Sequence, residues 1–291
     1  MNTYLYFLKS AIIFAPEIDM ALANDATPVS LRAAIRHEEI LYALEVKGRV
    51  STSDLETRLG VTAVTIREDL KYLELKGLLS RTRGGALART GSGAEKALEL
   101  MAMTNRAEKE AIGAHAASLI ENGQTVIIDV GSSTTALANA MSADLHGVVV
   151  ITNGLNIALS LEKLPGVSVI VTGGTLRPLQ HSLVAPMGTL VLEKLQADIG
   201  FIGCNGVDPE RGFTNTNIAE AEIKQAMLQS ADRIVFLADH EKIGHVASAH
   251  VADIESADLL ITDTVANREV LERLRDQGLK IETVEPAGGK S

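Results

Sequence analysis

The sequence contains no tryptophan, and only 3% of its 291 residues are aromatic. Proteins that bind single-stranded nucleic acids by stacking depend on aromatic side chains, so this class of binding is not expected. The lone cysteine, Cys204, cannot form an intrachain disulfide, which fits a reducing, cytoplasmic setting. No apolar run is long enough to cross a bilayer, so no association with a membrane is expected.

Negative charge dominates the chain, but it is unevenly distributed. The net charge is −10, whereas residues 36–90 contain ten Lys and Arg and eight Asp and Glu, a net of +2, which leaves −12 for the remainder. Affinity for DNA depends on local basic clusters more than on the charge of the whole chain. A surplus this small predicts weak DNA binding by one copy and a need for two copies on one site.

The first thirty residues differ in character from the rest of the chain. Residues 4–15 are apolar but include Lys9, and the stretch is too short to span a membrane. It also lacks the basic start and the cleavage site of a signal peptide. We expect residues 1–30 to be a disordered or non-native extension, with translation beginning at Met20.

Residues 31–90 have the pattern of a winged helix-turn-helix, which is a DNA-binding fold. A first helix is expected over 31–46 because apolar residues recur mostly on one face. Two further helical patterns and an Arg-rich hairpin follow, in the order that this fold requires. The residues expected to end, cap or turn these elements are Gly48, Ser51 or Ser53, Gly60, Thr62 and the pair Gly84-Gly85.

The third helix is the expected recognition helix, whose first turns enter the major groove. Arg67 can reach O6 and N7 of guanine, and Thr65 can contact a phosphate or the methyl group of thymine. Arginines on the wing more often hold phosphates, which set the register of binding. The predicted DNA-binding residues are Ser53, Thr62, Thr65, Arg67, Lys71, Arg81 and Arg83. The alternative is a small helical subdomain with a solvated charged face.

The remainder is predicted to be an α/β domain over residues 106–285, preceded by a Gly- and Ser-containing linker at 91–105. Strand-like apolar runs alternate with helical patterns, which predicts βαβ units and a largely parallel sheet. The expected strands are 125–129, 148–152, 167–172, 199–203, 233–238 and 259–262, and the expected helices are 106–120, 136–141 and 219–229.

Ligands of such sheets bind beyond the carboxyl ends of the strands, and the first strand here is followed by a loop suited to an anion. Residues 129–135 combine Gly131 with a series of hydroxyl groups at a helix start, where backbone N–H groups also point outward. The loop is neither a P-loop nor a dinucleotide fingerprint. Ordinary helices also begin with Ser or Thr, so this motif alone is weak.

Polar or Gly-rich residues also follow later strands. Thr152-Asn153-Gly154 and Thr172-Gly173-Gly174 can be plain turns between strand and helix. Asp239 and Lys242 can hold a hydroxylated anion from two sides, because a carboxylate accepts from hydroxyls and an ammonium pairs with a phosphate or carboxylate. A surface salt bridge is the alternative interpretation of this pair.

Several of these motifs resemble those of the DeoR family of bacterial regulators. TIREDL at 65–70 is similar to the family's recognition helix, T-[IV]-R-x-D-[LI], and RTRGGA at 81–86 is similar to its wing. The resemblance continues through the second domain and covers most of the chain beyond residue 30. The matching stretches there are DVGSS at 129–133, Thr152-Asn153, Gly173-Gly174, GVDPERGFT at 206–214 and DHEK at 239–242.

The resemblance implies an inducer pocket of the kind shared with pentose-phosphate isomerases and amino-sugar phosphate deaminases. It also implies a phosphorylated sugar or a related intermediate as effector. The family's D-x-x-K motif is associated with the effector response, and this role carries over to Asp239 and Lys242. The expected effector-binding residues are Asp129, Gly131, Ser132, Ser133, Thr134, Asn153, Gly173, Gly174, Asp239 and Lys242.

The combined prediction is a transcriptional regulator that represses a carbohydrate-utilisation operon and is released from its operator by a phosphorylated sugar. Its expected partners are double-stranded operator DNA, the small effector and further copies of itself in a dimer or tetramer. The alternative is a sugar-phosphate isomerase or deaminase that carries a DNA-binding domain, with Lys242, Asp208 and Glu210 as acid–base groups. The regulator is preferred, so no enzymatic activity is expected.

Other polar residues are interpreted as structural, and neither a cofactor nor a metal ion is expected. Glu220, Glu222 and Lys224 lie in the expected helix 219–229 and are assigned to a solvated face, while Asn215 to Asn217 can line the mouth of the pocket. Cys204 ends an apolar strand and is expected to be buried. A spacing of five residues, which does not suit metal ligands on one helix, separates His240, His245 and His250.

Overall fold

The structure, a computed structural model, describes residues 33, 36–37, 39–41, 43–44, 48–75, 78–87 and 97–286. The chain divides into two compact units, one ending at Leu87 and the other beginning at residue 88. The predicted extension 1–30 lies outside the described residues. So do both ends of the helix expected over 31–46 and residues 91–96 of the expected linker.

The N-terminal unit has the winged helix-turn-helix fold that its motifs predict. The described residues between 33 and 44 are helical, and they are followed by β1 (Arg49–Ser51), α1 (Thr52–Leu59), α2 (Ala63–Leu75), β2 (Ser80–Thr82) and β3 (Gly85–Leu87). The three strands form an antiparallel sheet in the order β1-β3-β2. The buried core of this unit includes Ile40, Leu44, Leu55, Ile66, Leu70, Leu73 and Leu79.

The predicted turn and cap residues occupy the ends of α1 and α2. Gly60 ends α1 in the left-handed region at φ 63°, and the Thr62 hydroxyl accepts a backbone N–H of the first turn of α2 at 3.4 Å. Of the two candidate caps for α1, Ser51 accepts a helix N–H at 3.0 Å, whereas Ser53 lies inside the helix. The short loop between α1 and α2 is thereby held in one geometry.

The sequence pattern does not predict β1, which pairs with β3 and adds a third strand to the wing hairpin. Gly85 lies opposite Ser51 in this pairing, and a Cβ at Gly85 would lie 2.0 Å from the carbonyl oxygen of Val50. The second glycine of the wing is therefore required by the close approach of two backbones.

The C-terminal unit alternates strands and helices, as predicted. Its elements in chain order are α3 (Leu98–Met103), α4 (Arg106–Ala117), β4 (Thr125–Ile128), α5 (Ser132–Ala140), β5 (Val148–Thr152), α6 (Leu155–Leu161), β6 (Val167–Val171), β7 (Thr175–Arg177), β8 (Ser182–Val184), α7 (Met187–Leu192), β9 (Ile199–Gly203), β10 (Gly206–Asp208), β11 (Gly212–Asn215), α8 (Ile218–Gln229), β12 (Ile234–Leu237), β13 (Ala249–Ala252), β14 (Leu259–Asp263), α9 (Arg268–Asp276) and β15 (Ile281–Val284). Short 3₁₀ turns occupy His240–Lys242 and Ile254–Ser256.

A seven-stranded sheet forms the centre of this unit, in the order β15-β14-β12-β9-β4-β5-β6. All six pairings within it are parallel. Two small antiparallel sheets, β7-β8 and β10-β11-β13, accompany it. Each of the six predicted strands appears with bounds within one residue of those expected.

Both faces of the central sheet are buried at its inner strands, since successive residues of these strands enter different cores. In β4, Val126 and Ile128 belong to one hydrophobic cluster and Ile127 to the other. In β12, Phe236 enters the second cluster while Val235 enters the first. This arrangement explains why the sequences of these strands are continuous apolar runs and do not alternate between apolar and polar residues.

The structure corrects three predicted boundaries of this unit. Residues 98–103 of the expected linker 91–105 form α3, because Leu98 is buried and anchors that turn. The helix expected over 106–120 ends at Ala117. The helix expected over 136–141 begins four residues earlier, at Ser132, so the hydroxyl-rich residues form its first turn and not a preceding loop.

The expected recognition helix, α2, is tied to the helical residues before it through the buried carboxylate of Asp69. Arg36 donates to this carboxylate from Nε at 2.7 Å and from Nη2 at 2.9 Å, and Nε2 of His37 lies 2.9 Å from Oδ1. The His37 ring also stacks on Tyr72 with centroids 4.8 Å apart. Asp69 therefore sets the orientation in which α2 presents its outer face.

We predict that Asp69→Asn destabilises the N-terminal unit by about 1.5–3 kcal/mol, because it weakens the hydrogen bonds from a charged guanidinium. The chain has no tryptophan and its tyrosines, residues 4, 6, 42 and 72, all precede residue 88. Tyrosine fluorescence during urea unfolding of the full chain therefore reports on this unit alone. The exposed neighbour change Glu68→Gln is the control, and equal midpoints for the two variants would contradict the role given to Asp69.

Candidate functional site

The order of the central sheet changes direction between β4 and β9. From β4 the chain proceeds through β5 to β6 at one edge, and from β9 through β12 and β14 to β15 at the other. Ligands of open parallel sheets bind beyond the strand ends at such a switch point. A cavity of about 190 Å³ lies there, lined by Leu98, Met101, Val130, Gly131, Ser132, Ser133, Gln180, Gly203, Cys204, Asn205, Asn215, Thr216, Glu220, Lys224 and Lys242.

The first turn of α5 forms one wall of the cavity. Ser132 and Ser133 are buried, and neither hydroxyl has a hydrogen-bond partner among the described residues. The backbone N–H groups of a first helical turn also lack partners within the helix. Two hydroxyl groups and a helix N-terminus thus face the same space, and this combination suits an anion.

Thr134, predicted to bind effector with these serines, is turned away from the cavity. Its hydroxyl donates to the carbonyl oxygen of Gly131 at 3.1 Å. The next residue, Thr135, donates to the same oxygen at 2.5 Å. These bonds stabilise the turn that presents Ser132 and Ser133, so the geometry gives Thr134 an indirect role.

Lys224 of α8 enters the cavity from the opposite side and pairs with Asp129, which follows β4. Asp129 is fully buried behind the lining, and one of its oxygens also accepts the N–H of Gly203 at 3.0 Å. Burial raises the pKa of Asp129, and the attraction of Lys224 only partly offsets that effect. Asp129, which is predicted to contact the effector, thus holds Lys224 through one oxygen, while its Oδ1 atom has no hydrogen-bond partner among the described residues.

The interpretation of helix 219–229 as carrying a solvated face of Glu220, Glu222 and Lys224 is wrong for two of the three. Only Glu222 is exposed, whereas Glu220 and Lys224 are buried and line the cavity. Glu220 forms an ion pair with Arg177 and accepts from the amide of Asn215 at 3.2 Å. The helical pattern does predict that Glu220 and Lys224 lie on one face, since residues four apart share a helix face.

Asp239 and Lys242 are not a surface salt bridge, because the carboxylate is almost completely buried. Its Oδ2 atom lies 3.9 Å from Nζ of Lys242 and 3.2 Å from Nζ of Lys109, a residue of α4. Burial alone would raise the pKa of Asp239, but Lys242 and Lys109 together hold it below its ordinary value. Lys242 lines the cavity, whereas Asp239 lies behind it.

The remaining predicted effector residues support the site from outside the lining. Asn153 is buried and accepts the N–H of Val130 at 2.9 Å, which shapes the loop after β4. Gly173 and Gly174 both have positive φ, and a Cβ at Gly174 would lie 2.1 Å from the carbonyl oxygen of Val184. Gly174 therefore permits the close approach of β7 and β8, whereas at Gly173 only the positive φ favours glycine.

The sequence predicts only some of the other residues that line the cavity. Asn215 and Thr216 line the cavity, as expected of residues near its mouth. Cys204 is buried as predicted, and burial raises the pKa of its thiol to about 11. Leu98 and Met101 are not predicted to line the cavity, because the sequence pattern assigns residues 91–105 to the linker.

The predicted DNA-binding residues lie at the surface of the N-terminal unit. Six are exposed and Thr65 is half-buried. Arg67 and Lys71 are four residues apart and so share one face of α2. Val64, which the sequence pattern does not single out, is 61% exposed on the first turn and can contact a thymine methyl.

The wing residue Arg81 is attached to α2. Its backbone N–H donates to the carboxylate of Glu74 at 2.8 Å, and its guanidinium lies 3.8 Å from the same side chain. Arg83 at the turn is exposed. The wing is therefore held at its base while its turn extends into solvent.

Two kinds of feature are absent from the described part of the chain. It contains no helix that is both long and apolar enough to cross a membrane. Nor do three or more His, Cys, Asp or Glu side chains converge there as metal ligands. Two of the three evenly spaced histidines lie beside carboxylates, His240 at 3.1 Å from Asp263 and His250 at 3.1 Å from Asp253.

Comparisons with known proteins cover both units. The model of the DeoR-like helix-turn-helix domain matches residues 36–91, and that of the DeoR C-terminal sensor domain matches residues 104–264. The transcriptional regulator GolR of Listeria innocua is 34% identical over 253 residues, which cover 86% of this chain and 98% of that protein. The transcriptional repressor GlcR of Bacillus subtilis is 34% identical over 86% of this chain and 96% of its own length. The glycerol-3-phosphate regulon repressor of Escherichia coli K12 is 28% identical over 85% and 97%.

We predict that Lys224→Met destabilises the C-terminal unit by about 3–5 kcal/mol, because Asp129 then lacks its buried counter-ion. The double variant with Asp129→Asn should recover most of this loss, since the amide oxygen still accepts from Gly203. Urea unfolding followed by circular dichroism measures both, with the exposed change Glu222→Gln as control.

The pH dependence of the single variant is a second test of the same pair. A buried acid whose pKa is raised in the folded state stabilises the fold below its unfolded pKa and loses that contribution as pH rises. The deficit of Lys224→Met relative to wild type should therefore shrink as the pH falls from neutral toward about 4. A deficit independent of pH would contradict an unpaired Asp129 carboxylate.

Proposed function

The chain belongs to the DeoR family of transcriptional regulators, and we propose that it represses a carbohydrate-utilisation operon until a phosphorylated sugar binds its C-terminal unit. The observation that carries this proposal is the cavity at the switch point of the parallel sheet. Two buried serine hydroxyls without partners among the described residues and a helix N-terminus line this cavity, and Lys242 also belongs to its wall.

The phosphate end of the effector fits the wall made by α5. Phosphate oxygens accept hydrogen bonds from hydroxyls, from the N–H groups of a first helical turn and from an ammonium group. Ser132, Ser133 and Lys242 provide these donors. Lys224 is already paired with Asp129, so Lys242 is the lysine we assign to the phosphate.

The rest of the cavity fits a molecule with several hydroxyl groups. Its other walls carry amide, hydroxyl and carboxylate side chains, which both donate to and accept from hydroxyls. These side chains are Gln180, Asn205, Asn215, Thr216 and Glu220. The name of the E. coli relative, which includes glycerol-3-phosphate, supports a phosphorylated polyol of this kind.

Binding to an operator is proposed for at least two copies of the chain. One winged-helix unit has a surplus of only +2 charges over residues 36–90. Symmetric operators are bound by dimers, which present two recognition helices to two half-sites. We therefore propose a dimer or tetramer that binds operator DNA in the cytoplasm.

An enzyme is not supported, since the relatives are named as transcriptional regulators and repressors. Two of its suggested acid–base groups also have structural partners. Asp208 accepts backbone N–H groups in its own turn, and Glu210 lies 3.1 Å from Arg273. Neither residue lines the cavity.

Fluorescence anisotropy with DNA from the region upstream of the chain's own gene tests the proposal. The complex is titrated at fixed salt with a panel of phosphorylated sugars and their unphosphorylated counterparts. Release by one phosphosugar but not by its free sugar is the expected result. DNA binding without release by any member of the panel would contradict the proposed effector class and leave the DNA-binding function intact.

We predict that Lys242→Ala gives a repressor that binds DNA normally but requires about tenfold to a hundredfold more phosphosugar for release. The reason is the loss of a hydrogen bond from a charged group, which contributes about 1.5–3 kcal/mol. Anisotropy titrations measure the change, with the exposed Lys194→Ala as a charge-matched control. A wild-type response from Lys242→Ala would remove this lysine from the site.

We predict different outcomes for two arginines of the N-terminal unit. Arg67→Ala should lower discrimination between the operator and a scrambled duplex by about 1–3 kcal/mol, because a base contact is lost. Arg83→Ala should weaken both duplexes equally and reduce the salt slope by about one, as expected of a phosphate contact. Anisotropy over a series of salt concentrations distinguishes them. Equal losses of discrimination would overturn the assignment of α2 as the recognition helix.

A further inference from the structure

The helix α3 forms part of the cavity wall and is the first described element after the segment that follows the winged helix. Leu98 and Met101 of α3 line the cavity. Residues 88–96 connect this helix in sequence to β3 of the N-terminal unit. A change in α3 on effector binding would therefore act at the C-terminal end of the segment that leads from the DNA-binding unit.

The C-terminal end of α3 is held by one buried side chain from α4. Lys109 donates from Nζ to the carbonyl oxygen of Met101 at 2.7 Å and to that of Thr104 at 2.5 Å. Its third contact is with Oδ2 of Asp239 at 3.2 Å. An ammonium group has three donors, so these contacts use its full capacity.

The other end of α3 is attached to the loop between β7 and β8. The N–H of Leu98 donates to the carbonyl oxygen of Leu179 at 2.8 Å, and Nε2 of His181 lies 2.5 Å from the Glu99 carboxylate. Gln180 of the same loop lines the cavity. Of the two attachments, only the one through Lys109 leads to a charged group that contacts a cavity lysine.

That charged group is Asp239, which two lysines share. Lys242 lines the cavity and Lys109 holds α3, and both ammonium groups approach the same Oδ2 atom, at 3.9 Å and 3.2 Å. The cluster of Lys109, Asp239 and Lys242 has two positive charges and one negative. An anion beside Lys242 supplies a second negative charge, so it competes with Asp239 for Lys242 and leaves Asp239 to Lys109.

We propose that Lys109 is a positioning residue for the effector response, which transmits the arrival of an anion at Lys242 to α3 through Asp239. When Asp239 pairs with Lys109 alone, the ammonium group moves relative to the carbonyl oxygens that it holds. The C-terminal turn of α3 then changes its hydrogen bonding. Coupling of this kind requires that the anion bind more tightly to one of the two arrangements. The inference depends on the proposed anion site at α5 and Lys242.

Amide hydrogen exchange of the full-length protein, with and without inorganic phosphate as the probe, tests this proposal. In the wild type, phosphate should slow exchange in residues 131–135 and change the exchange rate in residues 98–104 by about fivefold or more, the lower end of typical allosteric coupling. In Lys109→Met, residues 131–135 should still be protected, while residues 98–104 should no longer respond. A merely structural role for Lys109 would not separate these two responses.

Lys109→Met could fail to fold, because it removes one of the two lysines that pair with the buried carboxylate of Asp239. A second variant avoids this problem. Lys109→Met combined with Asp239→Asn leaves no buried charge without a partner, and Lys242 is freed to bind phosphate at least as tightly as in the wild type. This variant should also protect residues 131–135 without a response at 98–104. Lys194→Met, an exposed lysine of the same unit, should behave as the wild type.

Two results would overturn the proposal, and they are distinguishable. A response at residues 98–104 in both Lys109 variants would mean that coupling does not pass through Lys109, while the anion site stands. Absence of phosphate protection at residues 131–135 in the wild type would remove the anion site, and with it both the proposed function and this inference.

Discussion

The cavity depends on the fully buried ion pair between Asp129 and Lys224. Asp129 follows β4, Lys224 belongs to α8, and the same carboxylate accepts the N–H of Gly203 at the end of β9. The two strands on either side of the switch point and one covering helix are thereby joined at one carboxyl group. A buried ion pair adds little net stability, because the desolvation of both charges offsets their attraction. Its effect here is positional, since it neutralises Lys224, and for this reason the proposed anion site is assigned to Lys242.

The N-terminal unit uses a buried carboxylate in a similar way. Asp69 belongs to α2, the proposed recognition helix, and is bound by Arg36 and His37 of the preceding helical residues. In both units a carboxylate on one element receives donors from another, and each arrangement is a geometric constraint more than a source of stability. In each unit the buried carboxylate fixes the orientation of two elements, whereas an apolar contact at the same place would permit a range of orientations. A recognition helix and an anion site both need defined directions, because their hydrogen bonds are directional.

The fold follows from the sequence where local patterns decide it. The strands β4, β5, β9, β12 and β14 are covered on both faces and therefore appear as uninterrupted apolar runs. The edge strand β15, Ile281-Glu282-Thr283-Val284, has an exposed Thr283 and three half-exposed residues, and it has no such run. The cavity was predictable only in part, because Ser132, Ser133 and Lys242 follow strand ends, whereas the burial of Lys224 depends on Asp129, 95 residues earlier in the chain. A charged residue in a helical pattern is normally solvated, and only a tertiary partner reverses that expectation. The helix α3 is not predicted, because its six residues are too few to show the repeat of apolar residues that identifies a helix.

The distribution of charge is consistent with the proposed binding of two different anions, DNA and the effector, at separate places on the chain. At the cavity, Lys224 pairs with Asp129, while Lys242 shares the carboxylate of Asp239 with Lys109. Outside residues 36–90, by contrast, the chain has a net charge of −12. This net negative charge repels the DNA backbone, while two lysines that share one carboxylate fit the small anion proposed to enter the cavity. DNA is therefore left to the winged helix, whose modest surplus is the reason that binding by two such units is proposed. In the proposed mechanism a small change in the placement of these two units releases the operator, and the carboxylate of Asp239, which Lys109 and Lys242 share, connects the cavity to α3, the first described element after the winged helix.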